Sequence, residues 1–176
     1  MKTPMTLPGL FADAGEHFGL SRPAGHCLGM IWRAAQAPCA DDLTRTLGLS
    51  RSNVSTALKE LRGWGLVSVA RAPGDRKEYF MAPSDPWELI RAVMAARQRR
   101  AIAPILDRLL AAEAESPDAR IAALHAALET VSDWTTRLGS ATPAEIARHF
   151  AQGEDAMPTV EPAKKKKTKK KKRKAQ

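Results

Sequence analysis

Between Arg51 and Lys59 the chain sets out a guanidinium, three hydroxyls, an amide and an ammonium: Arg51, Ser52, Asn53, Ser55, Thr56 and Lys59. Hydroxyls and amides both donate and accept, which is the chemistry needed to meet base edges in a major groove, and neighbouring cations add attraction to phosphate. A second cationic set, Arg71, Arg76 and Lys77, brackets the turn-forming run Ala72, Pro73, Gly74 and Asp75. Neither set resembles a catalytic constellation. His17, His26, His125 and His149 are scattered, no HExxH or glycine-rich phosphate loop occurs, and Ser50, Ser52 and Ser55 are better used as a helix cap and groove contacts. The expectation is a protein that binds and does not catalyse, with no cofactor and no metal.

Those residues need elements to hold them. Ser21 followed by Pro23 starts a helix, and Cys27, Leu28, Ile31, Trp32 and Ala35 repeat as one apolar face up to about Pro38. Asp41 and Asp42 place negative charge on the first turn of a short second helix that carries Leu43 and Leu47 and ends at Gly48. Ser50 caps a third, in which Val54, Ala57, Leu58 and Leu61 fall at i, i+3, i+4 and i+7. Burying that stripe turns Ser52, Thr56, Lys59 and Gly63 to the opposite side, with Asn53 and Ser55 flanking. After Trp64 and Gly65 the period changes, and Leu66 to Arg71 and Lys77 to Met81 read as the strands of a β-hairpin. Asp75 either braces Arg76 or completes the turn, and bracing is slightly favoured. Three helices followed by a basic hairpin predict a winged helix-turn-helix.

The remainder is read as helical. Asp85 and Pro86 open a segment running through Leu109, which Pro104 should kink or interrupt, and Ile121, Leu124, Leu128, Val131, Thr135 and Leu138 step with the a/d rhythm of helices that pair along a seam. Thr142, Pro143 and Glu145 form a capping box for a last short helix. The predicted fold class is therefore mainly α with a small β-hairpin. Residues 1–20 form an N-terminal arm, 21–83 the winged helix-turn-helix, 84–153 a helical region for dimerisation and effector binding, and 154–176 a disordered lysine-rich tail.

Charge is distributed unevenly. The 176 residues carry a formal net charge of +9, but ten of the 28 Lys and Arg lie between Lys164 and Lys174, leaving 18 basic against 19 acidic side chains in residues 1–163. Overall basicity thus says little about the folded surface, whereas the tail itself suits sequence-independent contact with nucleic acid phosphates. Cys27 and Cys39 fit neither a disulfide framework nor a zinc site; one core and one incidental cysteine is the favoured reading over a redox pair. With no apolar run of membrane-spanning length, the expectation is a cytoplasmic, nucleoid-associated protein without a membrane partner.

The stretch from Leu43 to Tyr79 resembles the GbsR branch of the MarR-type transcriptional regulators. SNVS at 52–55, LRGWGLV at 61–67 and PGDRKEY at 73–79 carry the likeness, which extends more weakly from Gly19 to about Arg100. It implies a homodimeric regulator or repressor with the Ser50-capped helix and the wing on the duplex DNA of a palindromic operator, and a small-molecule effector in the cleft between the module and the dimerisation helices. Aromatics make up 5% of residues with no three clustered in sequence, so no aromatic cage for a quaternary ammonium is legible. Cys39 stands at a helix start where such regulators usually have Ser or Thr, which implies a weaker cap. The competing reading is an architectural DNA-binding protein that coats DNA without choosing a sequence.

Overall fold

The structure, a computed structural model, describes residues 6–151, so the lysine-rich tail lies outside the described residues. In chain order the elements are α1 (Leu7–Phe18), α2 (Arg22–Arg33), α3 (Ala40–Leu47), α4 (Arg51–Trp64), strands β1 (Ser68–Ala70) and β2 (Tyr79–Met81), α5 (Pro86–Arg97), a π-helical turn (Gln98–Ile102), α6 (Ala103–Glu115), α7 (Ala119–Ser140) and α8 (Pro143–Ala151).

Local chemistry sets most boundaries. Ser21 and Ser50 accept from the backbone N–H of Ala24 and Asn53, capping α2 and α4. Asp42 bonds the Cys39 N–H and thiol at the start of α3, both at 3.1 Å, so the box is completed from the carboxylate side despite the cysteine. Gly48 ends α3 at φ +65°, a left-handed conformation that costs glycine little, and the chain re-enters a helix at Arg51. These caps fix the helix-turn-helix.

The core joins α2, α3, α4 and the hairpin. Leu43, Val54, Leu61 and Leu66 are fully buried, and Leu28, Ile31, Leu58, Trp64 and Phe80 close around them. Each such aliphatic side chain contributes roughly 1.5–3 kcal/mol by leaving water. The arm helix α1 lies against α2 at backbone contact: a Cβ on Gly25 would stand 2.5 Å from both Ala12 Cα and Phe11 O.

The hairpin is antiparallel, with Ser68 opposite Met81, Val69 opposite Phe80 and Ala70 opposite Tyr79. Each strand has three residues, shorter than the runs read from the sequence, because Leu66 and Val67 are buried on the core and Arg71 to Glu78 form a long loop. Phe80 N–H donates to Pro38 O at 3.0 Å, so β2 also pairs with the segment ahead of α3 and anchors the wing to the helix-turn-helix.

Beyond the hairpin, α5, the π-turn and α6 follow without a break, and α7 packs back against all three. The interruption expected near Pro104 takes the form of that π-turn just ahead of it, wider winding being one way to accommodate a residue that lacks an N–H. Gln98 bonds Ser132 and receives Thr135 Oγ1 at 2.7 Å, joining the turn to α7. The a/d seam divides. Thr135 is buried and Ile121, Leu128 and Leu138 are half-buried, whereas Leu124 and Val131 remain 51% and 46% exposed. Thr142 and Glu145 exchange the capping bonds expected of them at the start of α8.

Candidate nucleic-acid interface

The stripe predicted to bury α4 does so, and its opposite side is open. Val54, Ala57, Leu58 and Leu61 are buried, while Arg51, Ser52, Asn53, Ser55, Thr56 and Lys59 are all exposed. Ser52 Oγ lies 3.0 Å from the capping Ser50 Oγ, and Arg51 is 3.9 Å from Asp41 across the turn. Among the described residues, no hydrogen bond or ion pair engages the side chains of Asn53, Ser55, Thr56 or Lys59. Their donors and acceptors are free for an outside partner.

Acidic groups near this face are held elsewhere. Glu60 accepts from Ser21 N at 2.9 Å and from Ser21 Oγ, fastening α4 to the start of α2 and drawing its charge off the polar side. Asp42 is tied to Cys39, which holds its carboxyl below the usual range: the thiol bond is the larger cause, the backbone N–H the next. Gly63 does not leave a gap for a groove, because Arg100 reaches over it, with Nη2 2.9 Å from where a Cβ would be. That guanidinium lies 5.4 Å from the Trp64 ring, and Arg99 Nη2 donates to Trp64 O at 3.5 Å, so the π-turn grips the C-terminal end of α4.

At the wing, Ala72 O accepts from Asp75 N at 3.1 Å around Pro73 and Gly74, whose φ of +79° suits the third position of a type II turn. The Asp75 carboxylate does not brace Arg76. It accepts from Tyr79 Oη at 2.6 Å and from Lys77 N at 2.9 Å, completing the turn, and the Tyr79 bond is the main reason its carboxyl sits below the ordinary value. Arg76 and Lys77 are left exposed, and no described side chain pairs with Arg76. Arg71 differs: its Nη2 is 2.6 Å from Glu78 Oε1. Glu78 also lies 3.6 Å from Arg62 of α4. Arg62, three residues after Lys59 and seven after Ser55, was missed as a candidate contact, although its helical spacing places it on the same flank.

A polar cleft of about 380 Å³ separates the start of α3 from the wing, lined among others by Ala40, Asp41, Arg71, Arg76 and Lys77. Two apolar spaces lie away from it. One, about 340 Å³, runs between α1 and α5 past Leu10, Phe11, Phe18, Leu89 and Val93. The other, about 210 Å³, brings together Trp87, Trp134 and Phe150, with Trp87 and Phe150 stacked at 5.7 Å. Three aromatics far apart in the chain thus converge, but Arg91 lines the same cavity and its guanidinium would repel a bound cation. Both cysteines are free and buried, and burial pushes the Cys27 thiol up to about 11, leaving almost no thiolate to react.

Helix-turn-helix, basic wing and open polar helix face define a winged helix-turn-helix protein. Residues 18–78, spanning α2 to the wing, match the model of the MarR family, so the module is MarR-like. The chain is also similar to a solved structure described as the crystal structure of a transcriptional regulator, with 21% identity, a TM-score of 0.57, and coverage of 83% of this chain and 96% of that one. At that identity the likeness concerns the fold. No curated protein matches the chain. Among the described residues, no helix is long and apolar enough to cross a membrane.

Proposed function

We propose that the chain is a sequence-specific DNA-binding transcriptional regulator, a homodimeric repressor of the GbsR branch of MarR-type proteins. One observation carries this reading: the face of α4 bearing Ser52, Asn53, Ser55, Thr56 and Lys59 is exposed, and the wing stands beside it through the contact of Arg62 with Glu78. An exposed helix of that chemistry fits a major groove, and Arg76 and Lys77 on the wing reach the adjacent minor groove or its phosphates.

Residues 84–153 provide the means to pair. Leu124 and Val131 on α7 and Ile105 and Leu110 on α6 are exposed apolar residues in a region where only Thr135 among the residues of α6 and α7 is buried. A two-fold partner covering them would set two α4 helices about one turn, roughly 10 base pairs, apart on an imperfect palindrome. A dimer seated across both grooves excludes other proteins from that DNA, which is repression. An effector, on this reading, is an apolar molecule in the α1/α5 cleft. The lysine-rich tail anchors the protein to phosphates without choosing bases, and it is the feature that favours the architectural alternative.

The test is selection of bound fragments from random duplex DNA with the full chain at two salt concentrations. A regulator retains a preference of about a thousandfold or more at the higher salt. A ratio near one there refutes it in favour of an architectural role.

A further inference from the structure

Glu78 is placed where it can oppose the wing's own function. It directly precedes β2, and Arg71 directly follows β1, so the two flank the last ladder pair, Ala70–Tyr79, at the mouth of the loop, and their side chains meet at 2.6 Å. The other carboxylate oxygen, Oε2, points to Arg62 Nη1 at 3.6 Å. One acidic side chain thus engages a cation from the wing and a cation from the last turn of α4. Its own exposure is 31%, against 70% for Arg71 and 52% for Arg62, so both guanidiniums remain open to a second anion from the solvent side.

The consequence is electrostatic. The three groups sum to one positive charge, where two arginines alone would present two. Exposed ion pairs are weak and exchange readily, and a DNA phosphate is the same kind of partner for a guanidinium as a carboxylate. A phosphate that approaches this corner therefore meets cations already held, beside a like charge. In a loosely seated complex nothing offsets breaking those contacts. When α4 and the wing are fully docked, base contacts hold the phosphates in place long enough for both arginines to turn to them.

We propose that Glu78 is a specificity-determining residue: it competes with DNA phosphates for Arg62 and Arg71, so that these two cations add to affinity only on a sequence that docks α4 and the wing completely. This rests on the DNA-binding reading above. It assigns Glu78 no contact with a base.

The test compares the full-length wild type with Glu78→Gln, and Arg62→Ala/Arg71→Ala with the same double variant carrying Glu78→Gln. Fluorescence anisotropy is read on a random-sequence duplex and on the fragment that the wild type selects, over a range of NaCl concentrations. Glu78→Gln should bind the random duplex about five- to tenfold more tightly, with a log–log salt slope steeper by about one, as one more phosphate is neutralised. Affinity for the selected fragment should change less than about threefold, so the ratio between the two falls. In the background without the arginines the gain should shrink to the small, salt-screened part that comes from losing a like charge. Coincident thermal melts establish that the near-isosteric variant folds.

Equal tightening on both duplexes, weaker binding to both, no change, or the same gain without Arg62 and Arg71 overturns the proposal. A wild type that selects no fragment overturns the regulator reading instead. Arginine-dependent tightening on random duplex would then still establish the competition.

Discussion

The Tyr79 hydroxyl donates to Asp75 Oδ2 at 2.6 Å, tying the first residue of β2 to the tip of the wing. With Lys77 N on the other oxygen, one carboxylate organises the turn that presents Arg76 and Lys77. The tip of the wing is therefore tied to β2 by a bond between a phenol and an acid, in which the Arg76 side chain takes no part.

That bond has a pH signature. The Asp75 carboxyl is lowered in the folded chain, first by Tyr79 and then by Lys77 N, so its contribution is complete above the unfolded value near about 4 and fades as pH falls through the folded one. The Tyr79 phenol is raised by the same partner, and its contribution is complete below about 10 and fades at higher pH. Between these limits the wing should not respond to pH. In Tyr79→Phe the Asp75 carboxyl, followed by NMR, should titrate closer to the ordinary aspartate value, and amide exchange at residues 72–78 should quicken. An unmoved Asp75 inflection would show that the hydroxyl does not hold the acid.

Arg76 and Arg71 should behave differently on DNA. Arg76 is exposed and pairs with no described side chain, whereas Arg71 is bound to Glu78 before any DNA arrives. Arg76→Ala should weaken binding to the selected fragment about tenfold, within the range for a groove contact, while Arg71→Ala should cost less there, since Arg71 must first leave Glu78, and next to nothing on the random duplex. Equal or reversed losses in a titration would show that the wing tip is not the part that reaches DNA.

Gly25 tests the seating of α1. A methyl group there would meet Ala12 Cα and Phe11 O, both backbone atoms, at 2.5 Å. No rotamer change relieves that contact, so Gly25→Ala should push α1 off α2 and cost about 1–3 kcal/mol, read as a lowered urea midpoint. A midpoint equal to wild type would mean that α1 does not pack there.

The tail should govern salt dependence and not sequence choice. Deleting residues 163–176 removes ten cationic side chains and should flatten the fall of affinity with salt, since each phosphate neutralised adds about 0.9 to the slope. The fragment selected from random DNA should stay the same. A changed preference would transfer base reading from the winged module to the tail.

What was legible in the sequence was whatever local periodicity and capping determine. The order from α2 to the wing follows from the Val54–Leu61 stripe, from Ser21 and Ser50 as caps, and from the shift of period after Gly65. The exposed side of α4 followed from that stripe. Contacts between distant residues were not legible. The α1–α2 seam is built on Gly25 and Gly29, which offer no side chain to a periodicity count, so the sequence shows an N-terminal arm without its seat on α2. Asp75 looks slightly better suited to brace Arg76 than to complete the turn until the hairpin brings Tyr79 beside it. Glu78 reads as one more surface charge, since its second partner comes from a different element. The seam of α7 shows periodicity without revealing that its own chain covers Thr135 and leaves Leu124 and Val131 open.

Leu124 and Val131 are where the proposed pairing can be tested. Both are about half exposed and lie one heptad apart on α7, so replacing them with glutamate removes no fully buried side chain and should lower the thermal melt only slightly if the chain is a monomer. In a dimer that covers them, the same charges would be driven into an apolar interface at a prohibitive cost. Leu124→Glu/Val131→Glu should then sediment as a monomer. Linking two half-site readers makes the second binding event intramolecular, commonly a gain of 10²–10⁴, so affinity for the full selected fragment should fall about a hundredfold while affinity for an isolated half-site stays put. A variant that sediments like wild type would place the pairing surface elsewhere, and a monomer that keeps full affinity would show that one winged module suffices.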